Sequence, residues 1–407
     1  MIKLDSFEPD APNEADVSHK NNEYTGRYLV SLMHEGMDFS EVKNVFQREL
    51  GLKIANTLDF EDKNDISEES YEDADMMIFN ELGVAIVGVD EDKSSEIMKL
   101  SVRSSYVMEP EEIITAPNPI ETKTQVASTW GIKATKVDQT QYTGKNVKVA
   151  VLDTGFDFSH PDFVGRNISS KSFVPRESAA DINGHGTHCI GTTCGNTDNN
   201  GIRYGVAKDS DIYVGKVLGG PRGSGTDSWI LNGINWAVVN NCKVINMSLG
   251  SRVFPGQTYK LAYERAAKYA LKNGSLIIAA AGNDSQRPFF FNPIGSPANS
   301  PSILAVAAVD VNLHAAKFSN RAINPGSRIE ISGPGVNVRS SWITSVQRYK
   351  TIHGTSMATP HVSGIAALYA EQHPNASPLQ LWNMLTANAQ AINGPAADYG
   401  AGLVIAP

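Results

Sequence analysis

The sequence predicts an α/β protein in two parts, a parallel sheet flanked by helices and, ahead of it, a small α+β domain. Three observations carry this. Beyond residue 126, continuous apolar strands alternate with helical stretches, as in a parallel sheet covered on both faces. In the first 112 residues the elements read β-α-β-β-α-β. The two regions are joined by a proline-containing stretch without periodicity. With 407 residues, 41% of them hydrophobic, the chain can bury a large core in two domains.

Residues 1–24 are polar, with Pro9, Pro12 and mixed charges, and read as a tail. Tyr28–Leu32 then reads as a strand. Phe39 to Leu50 reads as a helix with Val42, Val45, Phe46 and Leu50 on one face, and Asp38 or Ser40 as its cap. Residues 59–75 carry nine acids against one lysine and read as a solvated loop. Met76–Phe79 and Val84–Val89 are strands around Gly83, Ser94–Val102 is a short helix, and Ser105–Met108 closes the set. This order predicts a ferredoxin-like domain over residues 25–112. From Glu109 to Gln125, with Pro110, Pro117 and Pro119, the chain reads as an exposed linker, assigned to residues 113–126 between the domains.

In the larger domain, residues 127–407, apolar strands are expected at Val147–Leu152, Ile212–Val217, Lys243–Asn246, Leu276–Ala281 and Ile303–Val309. The helices between them are Gly186–Cys194, Ser228–Asn240 and Thr258–Lys272. A further helix begins near Ser356, with Pro360 expected in its first turn, where a missing N–H is harmless. Sites in such sheets lie outside the carboxyl ends of the strands.

A net charge of −9 argues against nucleic acid as a partner. No apolar run approaches the ~20 residues needed to cross a bilayer. The first residues lack a signal-peptide core, so a cytoplasmic location is expected, or secretion if a signal sequence has been removed. The three cysteines, Cys189, Cys194 and Cys242, cannot all pair internally, which favours a reducing compartment.

Several residues fall at strand–helix junctions, where the architecture puts chemistry. Asp153 ends a strand, although a lone acid there is usually a turn-former. His185 enters a helix in Asn183-Gly184-His185-Gly186-Thr187-His188. Two histidines three apart are also a metal-ligand spacing, but no third ligand shares it. Ser356, opening a long helix, is either a cap or a nucleophile. A serine hydroxyl needs a base, and a neutral imidazole needs a carboxylate to fix its tautomer; Asp, His and Ser together meet both needs. Asn283 ends a buried strand in Ala281-Gly282-Asn283, where its amide, with the Ser356 N–H, could donate to an oxyanion.

Together Asp153-Thr154-Gly155, His185-Gly186-Thr187-His188, Asn246-Met247-Ser248-Leu249-Gly250, Ala281-Gly282-Asn283 and Gly354-Thr355-Ser356-Met357-Ala358-Thr359-Pro360 resemble the subtilisin-like serine peptidases, in that family's order, over about residues 129–402. The resemblance implies a subtilisin-like sheet, a serine endopeptidase acting on proteins or peptides, and no cofactor for catalysis. It makes Asp153 the residue orienting the histidine, His185 the general base and acid, Ser356 the nucleophile, Asn283 an oxyanion donor and His188 structural. Gly223, Ser224 and Gly225, with Ser248, Leu249 and Gly250, would flank an extended substrate. Ala280, Gly282 and Gly295 would wall a primary pocket open to large apolar residues, with Asp284 at its rim. Asp227 departs from the pattern, since many relatives carry an aromatic there.

Asp162 and Asn199, the latter in Thr197-Asp198-Asn199-Asn200-Gly201, match a family site for structural calcium. A plain Asn-Gly turn is the alternative, and Arg203 opposes a cation. The N-terminal domain resembles the family's propeptide, a folding assistant and intramolecular inhibitor that makes the protein a zymogen. Glu111 and Glu112 are expected to cap helices of the catalytic domain, and one autolytic cut is expected within 109–125. The alternatives are a dedicated processing protease for one precursor, a hydrolase of another substrate class, or a silent peptide-binding scaffold.

Overall fold

The structure, a computed structural model, describes residues 23–34, 37–89, 96–97, 100, 106–116 and 129–407. In the larger domain seven strands form one sheet, in the spatial order Ile331–Pro334, Leu304–Val309, Leu276–Ala280, Val244–Met247, Lys148–Asp153, Asp211–Lys216, Ile168–Ser172, every neighbouring pair parallel. They are β6 (Lys148–Asp153), β7 (Ile168–Ser172), β8 (Asp211–Lys216), β10 (Val244–Met247), β11 (Leu276–Ala280), β12 (Leu304–Val309) and β13 (Ile331–Pro334). The central strands are buried along nearly their whole length, which explains why each reads as an unbroken apolar run. Helices Asp227–Val239 and Leu261–Lys272 belong to one apolar cluster, while His185–Cys194 and Thr355–Gln372 belong to the other. The strand order reverses between β6 and β10, so the crevice for a site opens at their carboxyl ends. Among the described residues no helix is long and apolar enough to cross a membrane.

The N-terminal sheet is built from β1 (Tyr24–Leu32), β2 (Ile54–Asn56), β3 (Met76–Phe79), β4 (Val84–Gly88) and β5 (Tyr106–Thr115), in the order β2-β3-β4-β1-β5. Apart from the added β2, this is the antiparallel ferredoxin-like order. Its strands alternate with period two, but both faces are buried. Val30, Leu32, Ile78, Ala85 and Val87 pack under helix Ser40–Leu50, while Leu29, Met77, Phe79, Val84 and Ile86 join a cluster with residues of helices 227–239 and 261–272. A sheet this small with two apolar faces needs a partner on the second. Here the partner is the larger domain.

Three expectations are corrected. Residues 59–75 are not a free loop: they contain short 3₁₀ turns at Lys63–Asp65 and Glu68–Tyr71, and Ile66 and Tyr71 are buried. The acids there are partners, Glu68 pairing with Arg27 and with the Trp229 indole. Residues 109–115 are not linker, because β5 runs unbroken through them. Its first half pairs with β1, and Ile113–Thr115 pairs antiparallel with β9 (Ser224–Thr226) of the other domain. Finally, Asp38 accepts the Ser40 N–H at 2.8 Å, but Phe39 occupies the cap position of the first helix. The tail, the rest of the linker from residue 117, and most of the helix expected at 94–102 lie outside the described residues.

Candidate active site

Asp153, the last residue of β6, places Oδ1 2.8 Å from Nδ1 of His185, the first residue of helix 185–194. Both side chains are 1% exposed. Thr154 stitches strand to helix: its hydroxyl accepts the Gly186 N–H at 2.8 Å and donates to Asp181 at 3.0 Å. Asp181 in turn accepts the N–H groups of Asn183, Gly184 and Thr187, each at 2.9 Å, and so fixes the glycine-rich entry to the helix. The sequence reading missed Asp181. Its signal was an acid four residues before His185 in an Asp-x-Asn-Gly turn.

Ser356 is the second residue of helix Thr355–Gln372, which starts after Gly354. It is therefore not the cap, and its hydroxyl donates to the Ser248 carbonyl at 3.1 Å. Pro360 lies one turn deeper than expected. Lacking an N–H, it leaves the Ser356 carbonyl without a helical donor. The Ser248 hydroxyl at 2.9 Å and the Cys189 thiol at 3.5 Å donate instead. Cys189, one turn after His185, also brings its sulfur within 3.8 Å of His185 Nδ1, a neighbour legible from the i, i+4 spacing. Asp153, His185 and Cys189 converge closely enough to meet at one point, whereas His188 is not among them. The His188 Nε2 lies 3.1 Å from the Val338 carbonyl and 3.2 Å from that of Lys350, and among the described residues His188 joins no group of three metal-binding side chains.

The electrostatics separate the two histidines. Burial opposes charging of His185, but the Asp153 carboxylate outweighs it and holds the imidazole well above its ordinary pKa. Burial, with the charge of His185, pushes His188 down to about 3, a neutral structural ring. His185 Nε2 is buried without a hydrogen-bond partner among the described residues. An unpartnered ring nitrogen on a carboxylate-oriented imidazole is the atom that would take a proton.

Asn283 is held by its oxygen, which accepts the Thr355 N–H at 2.8 Å and the Thr355 hydroxyl at 2.9 Å. Its Nδ2 is thereby turned toward Gly354. A Cβ built on Gly354 would sit 3.4 Å from Asn283 Nδ2 and 3.5 Å from Ser356 N, so two donors face one small space that only glycine leaves open. As the second helical residue, Ser356 has no carbonyl one turn back for its N–H.

The segments expected to flank a substrate are already paired. Ile113, Ile114 and Thr115 oppose Thr226, Gly225 and Ser224; Thr115 bridges to Gly250 on the other side; and Ala116 N–H donates to the Gly223 carbonyl at 2.7 Å. Leu249, between Ser248 and Gly250, is buried in the same apolar cluster as Ile114. Beside them Gly295 N–H donates to the Ala281 carbonyl at 2.9 Å, which brings Gly295 to the end of the strand that holds Ala280 and leads into Gly282. Asp284 at the rim accepts from the Asn320 amide at 3.0 Å. Of the two expected caps, Glu111 accepts the Ser228 N–H at 2.8 Å at the start of helix 227–239. Glu112 accepts the Ser251 hydroxyl at 2.6 Å and pairs with Lys260 at 3.1 Å. At the start of helix 261–272 the acceptor is Glu109, from Leu261 at 3.2 Å.

The residues expected to hold calcium do not fit an ion. Asp162 accepts hydrogen bonds from Tyr204 at 2.7 Å and Tyr349 at 3.0 Å. The Tyr349 hydroxyl also accepts the Asn199 N–H at 3.1 Å, so it stands between the two expected ligands. The carbonyls of Asn196, Asp198, Ile202 and Arg203 accept backbone N–H groups. Asp198 pairs with Arg339 at 2.6 Å. A cation cage needs carboxylate and carbonyl oxygens turned inward. Here protein donors occupy the carboxylates of Asp162 and Asp198 and the loop carbonyls.

Residues 144–402 match the model of the subtilase family, Peptidase S8. Subtilisin DY of Bacillus licheniformis is 41% identical over 274 residues, 67% of this chain and 94% of that protein. Subtilisin E of Bacillus subtilis (strain 168) is 41% identical over 275 residues, 67% of this chain and 68% of that protein. The major intracellular serine protease of the same strain is 41% identical over 242 residues, 58% of this chain and 72% of that protein.

Proposed function

This chain belongs to the subtilase family and is a subtilisin-like serine endopeptidase, and from that premise we propose that it cleaves peptide bonds through Asp153, His185 and Ser356 and is made as a self-inhibited zymogen. His185 Nε2 takes the proton of Ser356 Oγ as the oxygen attacks the scissile carbonyl. The imidazolium then gives the proton to the leaving amine, and water hydrolyses the acyl-enzyme by the reverse sequence. Asp153 keeps the ring in the tautomer with Nδ1 protonated and balances the imidazolium charge. Asn283 Nδ2 and Ser356 N–H stabilise the oxyanion. The observation that carries this reading is the buried Asp153–His185 pair, 2.8 Å apart, with Nε2 unpartnered.

Self-inhibition is supported by the chain's own residues 113–116 lying as an added strand where a substrate would lie. The hydrogen-bonded strand reaches Ala116, so the expected autolytic cut falls within residues 117–125. Ala280, Gly282 and Gly295 support a primary pocket for large apolar side chains, and the Asn320 amide holds Asp284 by a hydrogen bond at 3.0 Å. Free, buried Cys189, Cys194 and Cys242 support a reducing compartment, hence the cytoplasm. Digestion of casein, with no matching turnover of simple esters, tests the substrate class. Mass spectrometry of active enzyme locates the cut, and an intact active chain would refute self-inhibition. A peptide panel cleaved faster after arginine than after leucine or phenylalanine would refute the pocket assignment.

A further inference from the structure

The strand in the cleft carries more information than its ending. Glu112, just before the residues paired with β9, places its carboxylate Oε2 2.6 Å from the Ser251 hydroxyl and 3.1 Å from Lys260 Nζ. Its backbone N–H donates to Asp227 Oδ2 at 2.8 Å. Asp227 is fully buried at the start of helix 227–239 and is held by Lys260 at 2.6 Å and by the Tyr263 hydroxyl at 2.6 Å. The lysine is therefore pinned from below by one carboxylate and covered from above by another, with Ser251 completing the donors.

All three receiving side chains belong to the peptidase domain. They remain when a different strand takes the place of residues 112–116, and added strands bind through backbone groups that any sequence supplies. The register fixes where such a strand meets them. Thr115 opposes Gly250, so in an antiparallel substrate the residue two further on faces Ser248, whose carbonyl accepts the Ser356 hydroxyl. Ser356 is hydrogen-bonded to Ser248, so we infer that this residue is the one before the cleaved bond. Counting back, the counterpart of Glu112 is the sixth residue before the cut.

We propose that Lys260 and Ser251, set on Asp227, form a distal subsite that selects a substrate with an acidic side chain at the sixth residue before the cleaved bond. The inference rests on the peptidase reading above. Glutamate makes one charge-assisted bond to the ammonium and one to the hydroxyl, and glutamine makes neutral ones. Lysine sets two ammonium groups against each other. Because the contact is remote from the reacting atoms and the same in the bound and transition states, it acts on KM more than on kcat.

The test uses enzyme that has activated itself from the full chain, and internally quenched decapeptides identical but for Glu, Gln, Ala or Lys at that sixth position. The expected kcat/KM for Glu exceeds that for Gln by about five- to tenfold, and Lys is the poorest. Lys260→Met brings Glu and Gln to parity. Should Lys260→Met fail to fold over the buried Asp227, Ser251→Ala serves: the Glu preference falls by about half, and an unchanged preference overturns the subsite. Peptides cleaved at equal rates whatever the sixth residue also overturn it. Failure to cleave any peptide would instead overturn the peptidase reading.

Discussion

Gly354→Ala isolates the oxyanion site without touching a polar atom. The added methyl would sit 3.4 Å from Asn283 Nδ2, 3.5 Å from Ser356 N and 3.4 Å from the Met357 sulfur. Those are ordinary contact distances for a carbon atom, so the methyl fits beside its neighbours. An oxyanion, however, must come within about 2.7–3.1 Å of both donors, and the methyl then holds its place. Denying one such donor costs about 2.7–4 kcal/mol, a figure measured in a related enzyme of this family; denying both lowers kcat by at least 10²–10³-fold. The backbone at φ 156° adds a strain of about 1–3 kcal/mol for alanine, seen as an unfolding midpoint a few degrees lower. The assay is steady-state hydrolysis of a peptide substrate alongside thermal unfolding. The expected result is a collapse of kcat with KM nearly unchanged in a folded protein. A kcat within threefold of the parent enzyme would refute the convergence of Asn283 and Ser356 N–H on the reacting carbonyl.

Four further outcomes are expected from the structure. Burial opposes charging of His185 while Asp153 favours it more strongly, so its raised pKa keeps the base protonated at low pH. Activity then appears as pH rises through a midpoint above 6.5, and Asp153→Asn moves that limb down while lowering kcat by about 10⁴-fold. A pH–rate profile of both proteins checks the sign. Glu111→Ala removes the acceptor of Ser228 N–H and one of the two carboxylates on Arg27, bonds worth about 1.5–3 kcal/mol. Hydrolysis by the unprocessed chain should rise by tenfold or more, and unchanged latency would contradict docking through this residue. Removing divalent cations with a chelator should leave the unfolding midpoint of Ser356→Ala protein in place. Arg339→Ala should lower it by several degrees, since Asp198 is 1% exposed and loses its cation.

Where sequence signals were local, the fold was legible. β6 was expected at Val147–Leu152 and spans Lys148–Asp153, because a strand buried on both faces writes itself as an apolar run. Asp153 and Asn283 are visible as polar residues that end such runs, and His185 as a histidine at a glycine-rich helix entry. What escaped depends on partners distant in sequence. Residues 109–115 read as linker because Pro110 and the three acids match nothing nearby. Their meaning comes from Ser228, Asp227, Lys260 and Leu261, more than 100 residues away. The Asp162–Asn199 pair resembles a calcium site in the sequence; in the fold Tyr204 and Tyr349 donate to Asp162, Tyr349 accepts the Asn199 N–H, and Arg339 pairs with the neighbouring Asp198. From the sequence Ser356 is either a cap or a nucleophile. The position of Gly354 ahead of Thr355, and not any property of Ser356, decides that it does not cap.

Ser356 is proposed as the nucleophile, activated by the buried Asp153–His185 pair. Intact mass and peptide mapping of self-activated enzyme after reaction with a fluorophosphonate test it most directly. One adduct is expected, on the peptide holding Ser356, slowed by Asp153→Asn and absent in Ser356→Ala. An adduct on another residue, or one that persists in Ser356→Ala, would contradict the assignment.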